Sequence, residues 1–173
     1  MRVRGRAWKL GDNITTDHII SGKHKFTSVS RLEDMLPHLF EEVIPGFHEK
    51  VEEGDVVVAG RNFGAGSSRE HAPRLLKMAG VGAIVAKGFA RIFFRNAINV
   101  GLPVVVARRV PDITETGDII EVDLGRGIVR NVSKGCEERF KPYPREILLL
   151  LEEGGVLEYL KRHGGLPWAG STG

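Results

Sequence analysis

Three short apolar runs, separated by segments with helical spacing, most constrain the fold of this chain. The runs are 55–60 (DVVVAG), 82–88 (GAIVAKG) and 102–107 (LPVVVA). Their length and unbroken apolar character are typical of strands that are buried on both faces of a parallel sheet. The intervening segments, APRLLKMAG and FARIFFRNAINVG, have the apolar spacing of helices. Because strand alternates with helix, the sequence predicts an α/β fold with parallel pairing and right-handed crossovers.

The flanking segments add further predicted elements. Residues 2–10 alternate loosely and predict a first strand, and residues 11–28 predict a long loop. Residues 32–47 predict a surface helix or two short helices, and residues 118–132 predict a hairpin around a Gly-Arg-Gly turn. The C-terminal region predicts two helices divided at Gly154 and Gly155. The predicted architecture is one domain over 1–173, with a mainly parallel sheet flanked by helices and a β-hairpin.

Composition excludes several kinds of protein. Hydrophobic residues make up 42% and charged residues 27% of the chain, which are ordinary globular values. Cys136 is the single cysteine, so no internal disulfide is possible and the sequence predicts no metal site held by this chain. No apolar run approaches the length of a membrane span, and no secretory signal is visible; we therefore expect a cytoplasmic protein.

Net charge alone does not identify a partner. The formal charge is +3 and the N-terminal segment MRVRGRAWK is basic, which leaves open a non-enzymatic module that binds anions or RNA. Elsewhere basic and acidic residues are interleaved, and aromatic residues do not alternate with basic ones as a platform for single-stranded nucleic acid requires. A mixed, solvated surface is the favoured interpretation, and nucleic-acid binding is not expected.

The turn Asn62–Ala72 (NFGAGSSREHA) is the least ordinary stretch of the chain, and it allows two interpretations. In the first, Ser67 and Glu70 form a Ser-x-x-Glu capping box for a helix that begins at Ser68. In the second, two glycines and Arg69 build an anion site at the start of that helix, where free N–H groups favour negative charge.

Known anion motifs do not match this turn. A P-loop needs a lysine that is absent, a dinucleotide fingerprint needs glycine where Arg69 stands, and the nucleophile elbow of hydrolases is missing. A carboxylate bound by Arg69 fits better, because the guanidinium fork matches the two oxygens of a carboxylate.

Three motifs, GDNITTDHI, GRNFGAGSSREHA and KGFARIFFRNAINVGLP, together resemble the swivel domain of the aconitase superfamily. The resemblance covers roughly residues 6–107 and implies a layered β/β/α domain. The length resembles that of the free-standing small subunits of 3-isopropylmalate dehydratases. Members isomerise hydroxy di- or tricarboxylates by removing water and adding it back. The resemblance therefore implies a small subunit of a hydro-lyase.

The resemblance also implies roles for individual residues. Ser67 is expected to take the proton alpha to a carboxylate, with its alkoxide stabilised by the helix N-terminus and Arg69. Ser68 and Arg69 are expected to contact the substrate carboxylate, and Asp17 to lie at the subunit junction and orient a histidine or water of the partner. No cofactor is expected on this chain. A 4Fe-4S cluster is expected in a separate large subunit.

Substrate choice is implied by the stretch 24–27 (HKFT), which corresponds to a specificity loop of the family. Phe26 stands where homoaconitases have an arginine, and an apolar side chain there favours an isopropyl group over a third carboxylate. Lys23 and Lys25 could instead reach a carboxylate, so homoaconitase or another dicarboxylate dehydratase stays the alternative. Roles for His18, Arg91 and Arg95 are left open.

Overall fold

A computed structural model of the chain describes residues 1–24, 31–67 and 70–169. Seven strands form one sheet within these residues. They are β1 (Arg2–Lys9), β2 (Val56–Ala59), β3 (Ala83–Ala86), β4 (Val104–Val106), β5 (Ile119–Asp123), β6 (Ile128–Asn131) and β7 (Cys136–Arg139). Their order in the sheet is β4-β3-β2-β1-β5-β6-β7, so that the first strand lies at the centre.

The parallel half of the sheet comprises β1 to β4. β1 pairs with β2, β2 with β3 and β3 with β4, all in parallel. The helices α3 (His71–Met78) and α4 (Arg91–Asn99) form the crossovers after β2 and β3. Every residue of β2 and β3 is buried, which requires both faces of this half to be covered. The predicted strand–helix alternation is confirmed.

The antiparallel half comprises β5, β6 and β7, joined to β1 through β5. The predicted hairpin is confirmed as β5 and β6, and β7 enlarges it. β7 was not predicted, because its sequence CEER has no apolar alternation and its side chains are at best half-buried. In β5 and β6, buried and more exposed residues alternate, as in a sheet with one solvated face.

The connection from β1 to β2 is helical in short pieces. It contains α1 (Thr16–Ile19), a 3-10 helix (Leu32–His38) and α2 (Phe47–Lys50). Within the predicted helical range 32–47 the structure has one helix, the 3-10 helix, and α2 begins at the last residue of that range, so neither a single helix nor a pair of short helices over 32–47 is confirmed. Phe40 explains the break, since its φ of 51° is left-handed and its side chain is fully buried.

The remaining helices are α5 (Val110–Ile113), α6 (Arg145–Glu152) and α7 (Val156–His163). The predicted division of the C-terminal region at Gly154 and Gly155 is confirmed. Lys77 on α3 ties this region to the helical layer, because its ammonium donates to the carbonyls of Val100 and Gly154, each at 2.8 Å. Among the residues that the structure describes, no helix is long and apolar enough to cross a membrane.

Candidate active site at the carboxyl edge of the parallel strands

The loops that follow β1 and β2 run side by side at the carboxyl ends of the parallel strands. We call this region the carboxyl edge; it comprises residues 10–18 and 60–67. Four backbone N–H groups bond across the two loops: Gly60 to Gly11 O at 3.1 Å, Asn13 to Arg61 O at 2.8 Å, Gly64 to Ile14 O at 2.7 Å and Thr16 to Ala65 O at 2.8 Å. The two motifs GDNITTDHI and GRNFGAGSS are thus held together along their length.

Ser67 lies at the end of this pairing and is exposed. Its Oγ is 3.4 Å from the Oγ1 of Thr16, so the two hydroxyl groups share one hydrogen bond in which either can donate. Thr16 itself is 2% exposed. The buried Thr16 hydroxyl therefore positions the exposed Ser67 hydroxyl through this hydrogen bond. The Ser67 oxygen is accessible to a substrate or to a partner subunit.

The predicted capping role of Ser67 is wrong. Helix α3 begins at His71, with Glu70 at the N-cap and no side-chain cap hydrogen bond. Its third residue is Pro73, which has no N–H group to offer an anion. The helix N-terminus is thus farther along the chain than the sequence predicted, and the group that the structure places beside the Ser67 oxygen is the Thr16 hydroxyl. Sequence reasoning missed Thr16, because TTDHI gives no sign of which hydroxyl faces the glycine-rich turn.

Phe63 and Gly64 anchor the turn that carries Ser67. The fully buried Phe63 ring packs edge-on against Phe93 of α4, with 5.2 Å between centroids. Gly64 has a φ of 83°, and a Cβ at this position would lie 2.2 Å from the Phe93 ring. Only glycine fits such a close approach without displacing α4. The position of Ser67 is therefore set by packing in the core.

Asp17 lies in the first turn of α1, next to Thr16, and is exposed. The helix is fixed by its cap: the Thr15 hydroxyl accepts from the His18 N–H at 3.2 Å, and the Thr15 N–H donates to His18 Nδ1 at 2.9 Å. Because Nδ1 accepts, a neutral His18 carries its proton on Nε2. His18 thereby has a capping role that holds Asp17 and Thr16 at the carboxyl edge.

The other predicted site residues are placed differently. The Lys23 ammonium is exposed and pairs with the Glu42 carboxylate at 3.3 Å. Ser68, Arg69, Lys25 and Phe26 lie outside the described residues. The structure thus places Ser67 and Asp17 at the carboxyl edge, where Thr16 precedes Asp17 in the chain and contacts Ser67. Lys23 forms an ion pair at the surface instead.

Comparison with known proteins identifies the family of this chain. Residues 13–109 match the family described as the aconitase C-terminal domain. The chain belongs to this family. The "3-isopropylmalate dehydratase small subunit 1" of Thermotoga maritima is 52% identical, covering 95% of this chain and 98% of that protein. The "methanogen homoaconitase small subunit" of Methanothermobacter thermautotrophicus is 49% identical, over 92% and 91% respectively.

A solved structure agrees with this placement. The crystal structure of 3-isopropylmalate dehydratase from Methanocaldococcus jannaschii is 40% identical, with a TM-score of 0.84 and coverage of 95% of this chain and 96% of that one. The segment that matches the aconitase C-terminal domain contains residues 13–18 and 60–67 of the carboxyl edge, and α4. β5 to β7 lie beyond it.

Arg91 and Arg95 flank the carboxyl edge within this aconitase-type segment. Both are exposed and line a cavity of about 210 Å³ together with Phe89, Phe94 and Val106. The Phe89 ring contacts Phe63 with 6.0 Å between centroids, which links this cavity to the turn of Ser67. The two arginines are therefore open to an anionic ligand or to an acidic surface.

Proposed function

We propose that this chain is the small subunit of a hydro-lyase that interconverts 2-isopropylmalate and 3-isopropylmalate in cytoplasmic leucine biosynthesis. The observation that carries the proposal is the exposed Ser67 hydroxyl, supported by the buried Thr16 hydroxyl at the carboxyl edge. The similarity to named dehydratase small subunits over nearly the whole chain supports it further.

The isomerisation needs a base that removes and returns one proton. In the forward direction Ser67 Oγ takes the proton from the carbon alpha to a carboxylate, and the electron pair forms the double bond. The hydroxide that leaves the neighbouring carbon takes a proton from the partner-subunit histidine that Asp17 is proposed to orient and becomes water. Addition of water in the opposite sense then returns the proton. A serine alkoxide is a strong base that must be stabilised, and a hydrogen bond donated by Thr16 Oγ1 does so without blocking the oxygen.

The departing hydroxyl requires an electrophile. One cysteine cannot supply the thiolates of an iron–sulfur cluster. We infer that a large subunit carries a 4Fe-4S cluster, which when bound acts as a Lewis acid on the leaving oxygen. Asp17, exposed on α1, lies where such a subunit could use it to orient a histidine or water. Ser68 and Arg69 would hold the substrate carboxylate.

Homoaconitase is the second candidate, because a homoaconitase small subunit is 49% identical. Of the residues predicted to choose the substrate, the structure describes Lys23. Its ammonium could bind a third carboxylate, but it would first have to break its ion pair with Glu42. The proposed apolar role of Phe26 favours isopropylmalate.

An RNA-binding role has less support. The N-terminal arginines that suggested it are neutralised by carboxylates of the fold: Arg2 by Asp123, Arg4 by Glu121 and Arg6 by Asp55.

A direct assay separates these candidates. The chain is co-expressed with large subunits of isopropylmalate-type and homoaconitase-type enzymes, and dehydration of isopropylmalate, homocitrate and citrate is measured side by side. We expect turnover of isopropylmalate. Turnover of homocitrate alone would refute the interpretation of Phe26. RNA binding with a steep salt dependence and no turnover with any partner would refute the enzymatic proposal.

A further inference from the structure

Three side chains converge beside the 3-10 helix, outside the carboxyl edge. The Nε2 of His24 lies 2.6 Å from the Oε1 of Glu41, and the Nδ1 of His38 lies 3.0 Å from the Oε2 of the same residue. The two imidazole rings stack with 3.6 Å between centroids and 15° between planes. One nitrogen from each ring and one carboxylate oxygen all lie within 4.8 Å of one another.

We propose that His24, His38 and Glu41 form a binding site for a borderline divalent transition metal such as Zn²⁺. Two imidazoles and one carboxylate are a ligand set that zinc uses in proteins, with a fourth position left for water. With metal–ligand bonds of about 2.1 Å, the ligand atoms of a tetrahedral site are about 3.4 Å apart. The His24–Glu41 and His38–Glu41 separations are shorter than this and the two ring planes are nearly parallel, so at least one imidazole must turn out of the stack for both nitrogens to face one ion.

The backbone around the site is fixed by the core. His38 ends the 3-10 helix, and the Glu41 N–H donates to its carbonyl at 3.3 Å, which places the two side chains on one side of a tight turn. The buried Phe40 N–H donates to the Ile19 carbonyl at 2.9 Å and ties this turn to the end of α1. His24 follows α1 closely in the chain, so the same contact brings its ring against His38.

The electrostatics of the cluster suit a cation. The Glu41 carboxylate presents one oxygen to each ring, at 2.6 Å from His24 Nε2 and 3.0 Å from His38 Nδ1. The side chains of His24, Glu41 and His38 are 28%, 33% and 37% exposed, which leaves an open side for the ion and a water ligand. Lys23, which adjoins His24, pairs with Glu42 at 3.3 Å.

Zn²⁺ titration of the full-length, untagged chain by calorimetry tests the site. We expect one ion per chain, and Co²⁺ should give the visible absorption of a tetrahedral centre. His38→Gln and Glu41→Gln should each weaken binding by at least about tenfold, since even the loss of an outer-shell partner of a metal ligand has an effect of that size. Zn²⁺ should raise the melting temperature of the wild-type chain and leave that of His38→Gln unchanged.

His163→Gln is the matched control, because His163 also pairs with a glutamate, Glu153, at 3.2 Å but without a second histidine. We expect this variant and Cys136→Ser to bind Zn²⁺ like the wild type. The site is refuted if binding does not saturate near one equivalent, if His163→Gln weakens it as much as His38→Gln, or if Cys136→Ser abolishes it. Should His38→Gln fail to fold by circular dichroism, Glu41→Gln decides. No readout depends on catalysis, so the outcome is independent of the proposed function.

Discussion

The parallel and antiparallel halves share one sheet but differ in what their polar groups do. In the antiparallel half, charged side chains of neighbouring strands neutralise one another, as Arg130 does with Glu121 and Glu137. At the carboxyl edge of the parallel half, the hydroxyls of Thr16 and Ser67 form a hydrogen bond that leaves Ser67 accessible.

The direction of the strands explains this difference. Parallel strands end on the same side, so the loops after β1 and β2 meet and concentrate polar groups in one place. Antiparallel strands return through tight turns, and their polar groups are spread along a solvated face. Reactive side chains in this fold are therefore expected where the parallel strands end. Matched substitutions in the two halves of the sheet test this expectation.

The largest contrast is expected between two serines. In the assembled enzyme, Ser67→Ala should lower kcat by about 10²- to 10⁴-fold, the usual contribution of a positioned proton acceptor. Ser133, whose Oγ accepts from the Ile119 N–H at 2.9 Å in the antiparallel half, is the matched control, and Ser133→Ala should leave kcat unchanged. Steady-state kinetics with folded, assembled protein measure both. Equal kcat values for Ser67→Ala and the wild type would remove Ser67 from the mechanism.

Two glycines with left-handed backbone conformations, one in each half of the sheet, allow the stability of the two halves to be compared. Gly64→Ala would bring a Cβ to 2.2 Å from Phe93, and we expect a loss of about 3 kcal/mol from overpacking and strain. Gly135 in the β6–β7 turn has a φ of 69° and open space around it, so Gly135→Ala should lose only about 1 kcal/mol. Urea denaturation measures the free energy of unfolding. A Gly64→Ala loss no larger than that of Gly135→Ala would contradict the tight packing of the Ser67 turn.

A buried carboxylate distinguishes the halves by its pH dependence. Burial would raise the pKa of Asp55, but hydrogen bonds from the Glu52 N–H, Trp8 Nε1 and Arg6 outweigh it and hold the pKa below its usual range. Because the folded pKa is lowered, this stabilisation is present above the unfolded pKa of about 3.9 and is lost as the pH falls through the folded value.

Asp55→Asn should therefore destabilise the fold by about 2 kcal/mol at pH 7, because both carboxylate oxygens accept hydrogen bonds and the amide NH₂ would face an N–H donor in either orientation. The difference from the wild type should shrink below a pH of about 4. Glu137→Gln, which removes an exposed ion pair with Arg130, should leave stability nearly unchanged, because water screens the pair. Urea denaturation across pH measures both variants. A constant Asp55→Asn effect down to the lowest pH would contradict the ionised, hydrogen-bonded state.

The smallest effect on turnover is expected for Thr16→Val, at about tenfold in kcat, because the hydrogen bond that stabilises the Ser67 alkoxide is lost. Thr114 is its counterpart: it is 3% exposed, and its hydroxyl donates to the Val110 carbonyl at 2.7 Å beside β6. Thr114→Val should lower stability by about 1 to 2 kcal/mol and leave kcat of the folded enzyme intact. Kinetics and thermal melts on both variants separate the two roles. If Thr16→Val affects only the melt, Thr16 is structural.

Much of the fold could be read from local pattern. The apolar runs of β2, β3 and β4 and the spacing of α3 and α4 are periodic signals, and the glycine pair between α6 and α7 is a strong helix break. β7 was not predicted because its sequence CEER has no alternation of apolar and polar residues. It forms a strand because it pairs with β6. The helix start at Ser68 was wrong because a Ser-x-x-Glu spacing describes a possible cap but not where the chain leaves the turn.

The amino-acid pattern was sufficient for the α/β class, for the three family motifs and for Ser67 and Asp17 as residues of interest, since each depends on neighbours within a few positions. The contact of Ser67 with Thr16 spans 51 residues, and that of His24 with Glu41 spans 17. Such contacts depend on which loops the sheet brings together and how Phe63 and Phe40 pack beneath them. Both contacts result from the burial of apolar groups that are distant in the chain, and no local spacing of residues encodes that burial.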